Sequence, residues 1–166
     1  MATKTSTRKP GTKTPATPTQ SAAIAPVISV PNVPDAVEFY TQLGFTTGTT
    51  VPGPDGEASY AILRYRDTQF HVGGLEGTHP DPKRMKAIAK GPRGLGVNFY
   101  MNVDDVAAVH RICQKAGVSI LQPPKDEFWG DRVLTVLDPF GFEWSFGQHV
   151  RDVSPEEMAQ AAASQN

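Results

Sequence analysis

The chain has 166 residues, of which 39% are hydrophobic, and its formal net charge at pH 7 is −1. This length accommodates one domain with a tail, and the 8 Phe, 4 Tyr and 2 Trp suffice to fill one core. No apolar run approaches the roughly 20 residues that span a bilayer, and we expect no export signal because the N-terminus lacks an apolar stretch. The single cysteine, Cys113, excludes an internal disulfide, so a cytoplasmic location is expected.

Residues 1–22 differ from the rest of the chain in charge and composition. They contain four basic residues and no acidic residue, and they are rich in Thr and Pro. Because such a segment has little apolar surface to bury, it cannot offset its ordering entropy, and we predict a disordered tail. A transit peptide would also be poor in acids, but it would form an amphipathic helix that is not visible here. Four charges without aromatic residues are weak evidence for nucleic-acid binding, so we expect no nucleic acid partner.

After the tail, residues 24–75 show the pattern of one strand, one helix and three further strands. The first helix is predicted from the near-helical spacing of Val33, Val37 and Tyr40, and Gly44 marks its end. The flanking strands are rich in β-branched and aromatic residues and are separated by Gly, Pro and Asp. The predicted strands are 26–30, 45–51, 59–65 and 69–73.

The same pattern repeats with a shift of about 73 residues, which places Val33 on Val106 and Gly44 on Gly117. The second unit is predicted to contain a strand at 96–103, a helix at 106–116 and strands at 119–121, 132–137 and 143–147. The connection between the units is rich in Gly, Pro and basic residues, and Met85–Ala89 is a candidate short helix. Ser154 followed by Pro155, Glu156 and Glu157 is a helix start, so a short helix of about 155–163 should follow.

Two βαβββ units of this size resemble the vicinal oxygen chelate superfamily, which includes glyoxalase I, bleomycin-resistance proteins and extradiol dioxygenases. The resemblance covers residues 24–149. Residues Val33–Phe45 look like the first helix of the family, and Asp138–Phe142 looks like its last hairpin turn. Three further segments resemble a bacterial glyoxalase/bleomycin-resistance-like subgroup, namely Pro123-Pro124, Phe128–Arg132 and Asp152–Glu157.

This resemblance implies an α+β fold in which two tandem βαβββ modules form a half-open barrel around a cavity. A single domain would occupy residues 23–150, with halves of about 24–75 and 94–148, a connecting loop at 76–93 and a C-terminal helix and tail at 151–166. Metal-dependent members place a ligand on the first and last strand of each half. Those four positions correspond to Ala25, His71, Asn98 and Ser145, of which only His71 is a strong metal ligand. We therefore expect no cofactor, with a divalent metal in an atypical site as the alternative.

Several polar and aromatic side chains are candidates for binding a small molecule. Asn98, Tyr100 and Asn102 alternate with apolar residues, which predicts one strand face toward a cavity. The indole of Trp129, beside Phe128, offers a flat stacking surface for planar or cationic ligands. His71 and Glu143 are weak candidates for catalysis, since imidazole and carboxylate can transfer protons. The predicted ligand-binding set is Ser29, His71, Asn98, Tyr100, Phe128, Trp129, Glu143 and Ser145.

Two functional hypotheses follow from this pattern. The first is a metal-free binding protein that sequesters a small, aromatic or antibiotic-like molecule, as resistance proteins of the superfamily do. The second is a glyoxalase-like lyase or isomerase with an atypical metal site, because one fold hosts many chemistries. Both hypotheses include a symmetric homodimer that covers exposed strand edges, with the halves paired within one chain or exchanged between two chains.

Overall fold

The computed structural model describes residues 24–75 and 80–164. The predicted disordered tail, residues 1–22, lies outside the described residues. Within the described residues, no helix is both long enough and apolar enough to cross a membrane.

The first half forms a four-stranded sheet with one helix on its inner face. It consists of β1 (Val27–Val30), α1 (Val33–Gln42), β2 (Thr46–Pro52), β3 (Ala58–Tyr65) and β4 (Thr68–Gly74), in the sheet order β1-β4-β3-β2. Strand β1 runs parallel to β4, and the other neighbours are antiparallel. Helix α1 begins where the Asn32 side chain accepts a hydrogen bond from the Asp35 amide, and the chain leaves it through Gly44 at a φ of 96°.

The second half repeats this arrangement. It consists of β5 (Asn98–Asn102), α3 (Val106–Lys115), β6 (Ser119–Asp126), β7 (Asp131–Leu137) and β8 (Glu143–His149), in the order β5-β8-β7-β6. Helix α2 (Pro82–Lys90) lies in the connection, and α4 (Pro155–Ala163) follows the second sheet. The prediction of an α+β fold built from two tandem modules is confirmed, and the sheets are open.

Most element ends lie within two or three residues of their predictions, and β6 and α2 are longer by four residues or more. Strand β6 continues through Pro123 and Pro124 to Asp126 instead of ending at residue 121. Proline lacks the N–H that a central strand needs, but β6 is an edge strand with two register shifts against β7, where this loss is tolerated. Helix α2 is longer than the predicted 85–89 because Asp81 caps it and Pro82 occupies its first turn.

The helix-side faces of both sheets share one hydrophobic core. Its fully buried side chains include Tyr40 and Leu63 from the first half and Leu134 and Phe146 from the second. Trp144 on β8 joins the halves, since its ring centroid lies 5.5 Å from that of Tyr40 and 5.5 Å from that of Phe70. The opposite face of each sheet, called here its outer face, therefore points away from the shared core.

A buried carboxylate in the second half accepts a hydrogen bond from the first half. Asp138, in the turn between β7 and β8, is 4% exposed and accepts hydrogen bonds from the Tyr40 hydroxyl at 2.5 Å and the Trp144 indole N–H at 3.0 Å. The backbone amides of Phe140 and Phe142 donate to its other oxygen. Burial raises the pKa of the Asp138 carboxyl, and the donated hydrogen bonds oppose that shift. Asp138 therefore stabilises the turn between β7 and β8 as well as the contact between the halves.

Candidate functional site

The outer face of the second sheet carries most of the predicted binding residues. On β5 the side chains alternate, so that Asn98, Tyr100 and Asn102 are exposed while Met101 is buried in the core. Strand pairing places Glu143 beside Asn98 and Ser145 beside Tyr100. Four residues predicted for the site therefore lie together on two neighbouring strands.

A row of hydrogen bonds crosses this face. The Asn98 side-chain amide donates to Glu143 Oε1 at 2.5 Å and to Ser145 Oγ at 3.0 Å. Ser145 Oγ in turn lies 3.2 Å from the hydroxyl oxygen of Thr135 on β7. Glu143 has no ion-pair partner among the described residues, so its negative charge is available to a ligand.

Tyr100 lies flat across the neighbouring strand. Its hydroxyl donates to Asp131 Oδ2 at 2.8 Å, and its ring covers Gly147 so closely that a Cβ there would be 2.7 Å from Tyr100 Cζ. The absence of a side chain at Gly147 therefore makes room for the Tyr100 ring. Burial raises the pKa of the Tyr100 phenol and the bond to Asp131 adds to the shift, while a hydrogen bond with the Trp129 indole opposes it.

The aromatic pair Phe128 and Trp129 lies in the loop between β6 and β7. The two rings are 5.0 Å apart in an edge-to-face arrangement, and Trp129 keeps 36% of its surface exposed. The next residue, Gly130, has a φ of 99°, and its carbonyl accepts from the amides of Val150 and Arg151. The segment that follows β8 thus fixes the loop that presents Trp129 to solvent.

Acidic groups surround this aromatic patch. Asp131 accepts from Tyr100 with one oxygen, and its other oxygen lies 3.2 Å from Nδ1 of His149, whose Nε2 is 3.0 Å from Asp152. The hydrogen bond with Asp152 makes the largest contribution to raising the pKa of the His149 imidazole, and the contact with Asp131 adds to it. The side chain of Glu127 is 10% exposed and accepts from the Gln122 amide.

The remaining predicted residues lie on the outer face of the first sheet. His71 on β4 has its Nδ1 2.5 Å from the Tyr60 hydroxyl oxygen, and Ser29 is half-buried on β1. His71 and Glu143 belong to different sheets, and the described residues contain no hydrogen bond or ion pair between them. Within one chain, the structure therefore does not bring the two candidate proton-transfer groups together.

The positions that carry metal ligands in metal-dependent relatives do not fit a metal ion here. Ala25 offers no donor atom, the Asn98 amide is engaged by Glu143 and Ser145, and His71 is bonded to Tyr60. Across residues 24–75 and 80–164, no group of three or more His, Cys, Asp or Glu side chains is arranged to hold a metal. One imidazole with an amide and a hydroxyl is a poor donor set for a divalent ion.

A cavity of about 500 Å³ opens where the two halves meet. The residues that line it include the aromatic side chains of Phe70, Phe99 and Trp144, together with Ile24 and Pro26, which precede β1. The residues of β5, an edge strand of its sheet, also line the cavity. The cavity therefore follows the free edge of β5 and reaches Asn98 and Tyr100.

Sequence reasoning missed three residues of the site. Thr135 extends the polar row, Gly147 makes room for Tyr100, and Asp131 holds the Tyr100 hydroxyl. Arg132, the sequence neighbour of Asp131, pairs with Asp126 instead, so residue order gives no signal for the contact between Asp131 and Tyr100. The alternation of β7 and β8 was a usable signal for Thr135 and Gly147, because both share a face with Ser145.

Two tandem βαβββ units with open outer faces define a protein of the vicinal oxygen chelate class. The family model of the Glyoxalase/Bleomycin resistance protein/Dioxygenase superfamily matches residues 22–146. The chain therefore belongs to that superfamily, and the resemblance inferred from the sequence is confirmed.

Comparison with individual proteins agrees with this assignment. An uncharacterised protein of Mycobacterium bovis is 33% identical over 149 residues, which cover 86% of this chain and 93% of that protein. TioX from Micromonospora sp. ML1 superposes with a TM-score of 0.56 at 23% identity, over 76% of this chain and 99% of TioX. A bleomycin resistance determinant encoded on transposon Tn5 gives a TM-score of 0.52 at 20% identity, over 76% of this chain and 96% of the determinant. These two structures show the shared fold.

Proposed function

We propose that the protein binds a small, planar, positively charged molecule on the outer face of the second sheet, without a metal ion. The observation that carries this proposal is the partly exposed Trp129 indole, fixed beside Tyr100 and bordered by carboxylates. Aromatic faces attract planar and cationic groups, and the attraction increases where water is excluded. The chain belongs to a superfamily that includes bleomycin resistance proteins, which supports a binding function. Superfamily membership does not identify the ligand.

The polar row gives such a ligand an orientation. Glu143 and Asp131 provide negative charge on this face, and Thr135 offers a hydroxyl group. Ser145 is only 7% exposed and contacts Asn98 and Thr135, so it supports the row from within. A few fixed polar groups around an aromatic surface are typical of small-molecule sites. We therefore expect cations to bind more tightly than neutral molecules of the same shape.

Fluorescence titration with proflavine, a planar cation, tests this proposal against acridone, a neutral analogue. We expect proflavine to bind more tightly, and Trp129→Ala and Tyr100→Ala to weaken its binding by roughly 2- to 12-fold each, the equivalent of about 0.5–1.5 kcal/mol. Leu121→Ala is a matched control, because Leu121 is 52% exposed on β6 and lies outside the polar row. Equal affinity in all three variants would place the binding site elsewhere.

The alternative function, a glyoxalase-like lyase or isomerase, requires a metal ion in an atypical site. Elemental analysis of protein purified without chelator separates the two functions. We expect well under one equivalent of Zn, Ni, Mn, Fe or Mg, since the aligned positions supply one strong ligand. A stoichiometric metal together with activity that is lost on chelation would favour the enzyme.

We also propose that two chains form a homodimer. Strands β1 and β5 are edge strands, and no hydrogen-bonded strand pair joins the two sheets in the described part of the chain. Ile24, which precedes β1, and Val27, its first residue, are exposed, as are Leu95 and Val97, which precede β5. Free edges bordered by apolar side chains are normally covered. Light scattering should give twice the 17.9 kDa of one chain, and the monomer mass would contradict the dimer.

We further propose a cytoplasmic location, with which the single buried thiol, Cys113, is consistent.

A further inference from the structure

The outer face of the first sheet contains a polar atom without a partner. His71 Nε2 is inaccessible to water and has no hydrogen-bond partner among residues 24–75 and 80–164, although the other ring nitrogen is bonded to Tyr60. Its neighbours in register are Ile62 on β3 and Val27 on β1, whose side chains have no acceptor to offer. Buried ring nitrogens are normally paired, so an unpaired one calls for an explanation.

The contact with Tyr60 determines what Nε2 can do. The phenol and imidazole rings are 5.6 Å apart at an interplanar angle of 81°, and the hydroxyl oxygen lies 2.5 Å from Nδ1. A phenol is the better donor of the two groups, so we assign Nδ1 as the acceptor. In a neutral imidazole this assignment places the proton on Nε2, which makes Nε2 a donor that needs an acceptor.

A positive charge lies on the same face. Arg64 follows Ile62 by two residues on β3, so both side chains point outward, and Arg64 pairs in register with Gln69 beside His71. Arg64 is half-buried, its guanidinium lies near Gly48 on β2, and the described residues contain no ion pair to it. The first sheet thus presents donors and positive charge, whereas the second sheet presents aromatic rings and carboxylates.

We propose that His71, held by Tyr60, and Arg64 form a subsite for the carboxylate group of a small molecule. His71 Nε2–H donates to one carboxylate oxygen, and the guanidinium of Arg64 supplies charge and further donors. Val27, the register neighbour of His71 on β1, is 58% exposed. This inference goes beyond the proposed function, which uses the other sheet and a ligand of opposite charge.

Nitrogen NMR of the full chain, labelled with ¹⁵N-histidine, tests this subsite directly. The chain has 4 His, and the spectrum of His71→Gln identifies the His71 signals. We expect the His71 signals to report Nδ1 as the acceptor of the Tyr60 hydrogen bond and a proton on Nε2. Titration with sodium benzoate should move the Nε2 proton resonance saturably, whereas the neutral analogue benzamide should leave it in place.

Substitution of the arginine supplies the quantitative test. Arg64→Gln should weaken the affinity for benzoate, as measured by this shift, about tenfold. That is the typical effect of losing one charge-assisted hydrogen bond. Arg84→Gln is the matched control, because Arg84 is an exposed arginine on α2, and it should behave like the unmodified chain. Unfolding midpoints of both variants establish that they are folded.

Three outcomes would overturn the subsite: a His71 signal that does not respond to benzoate, a proton found on Nδ1, or an equal response to benzamide. If the affinity for benzoate is unchanged in Arg64→Gln, Arg64 does not belong to the proposed carboxylate subsite. Because proflavine binding is read at Trp129 and benzoate binding at His71, failure of one proposal is distinguishable from failure of the other.

Discussion

Replacing Tyr40 with Phe tests whether the buried carboxylate holds the two halves together. The Tyr40 ring is fully buried on α1, and its hydroxyl donates to Asp138 at 2.5 Å across the boundary between the halves. Burial and the charge of Asp138 raise the pKa of the Tyr40 phenol above its usual range, so the hydroxyl stays protonated. Tyr40→Phe removes only the hydroxyl, leaving the ring contacts and three of the donors to Asp138 in place.

The magnitude follows from the character of this hydrogen bond. A buried hydrogen bond to a charged group contributes about 1.5–3 kcal/mol, and removing one hydroxyl oxygen leaves little cavity. We therefore expect the free energy of unfolding to fall by about 2 kcal/mol. For a protein of this size, that loss lowers the thermal midpoint by roughly 4–8 °C.

Urea denaturation followed by tryptophan fluorescence measures this change directly, since Trp144 donates to the same carboxylate. Tyr65→Phe is the control, because Tyr65 is half-buried and a substitution there should change stability by less than about 0.5 kcal/mol. If Tyr40→Phe is no more destabilising than the control, the Tyr40–Asp138 bond does not stabilise the junction. In that case the ring packing alone joins the halves.

Three further predictions concern the site and the helix α3. Gly147→Ala should push the Tyr100 ring away and reduce proflavine affinity. The unfolding midpoint should stay nearly constant, because the displaced group is the end of a side chain. Unchanged proflavine affinity would mean that the position of Tyr100 does not affect binding. The raised pKa of His149 in the folded protein adds stability that is fully present below about pH 6.5 and is lost as the pH rises through the raised pKa. His149→Gln should therefore flatten this part of the curve of unfolding free energy against pH, and an unaltered curve would contradict the contacts with Asp131 and Asp152. Burial raises the pKa of the Cys113 thiol to about 11, so thiol reagents should label native protein slowly and unfolded protein fast; rapid native labelling would show that α3 opens.

The sequence alone determined the order of elements and the tandem α+β architecture. Alternation along β5 and helical spacing along α1 and α3 are local patterns that follow from the periods of strand and helix. The same local logic placed Asn98 and Tyr100 on one face of β5, as the structure has them. The carried-over positions of Asn98 and Ser145 likewise fall next to each other.

Only the tertiary structure decided how the two halves are arranged. The predicted binding residues were expected around one cavity, yet one chain divides them between two outer faces because the helix-side faces pack together. The contacts that produce this division join residues far apart in sequence, such as Tyr40 and Asp138 at a separation of 98 residues. Pairing of Tyr60 with His71 and of Tyr100 with Asp131 likewise depends on strand register and loop geometry, which residue spacing does not encode. Local periodicity fixes which side of an element is apolar, whereas the choice of what covers that side is a property of the whole packed chain.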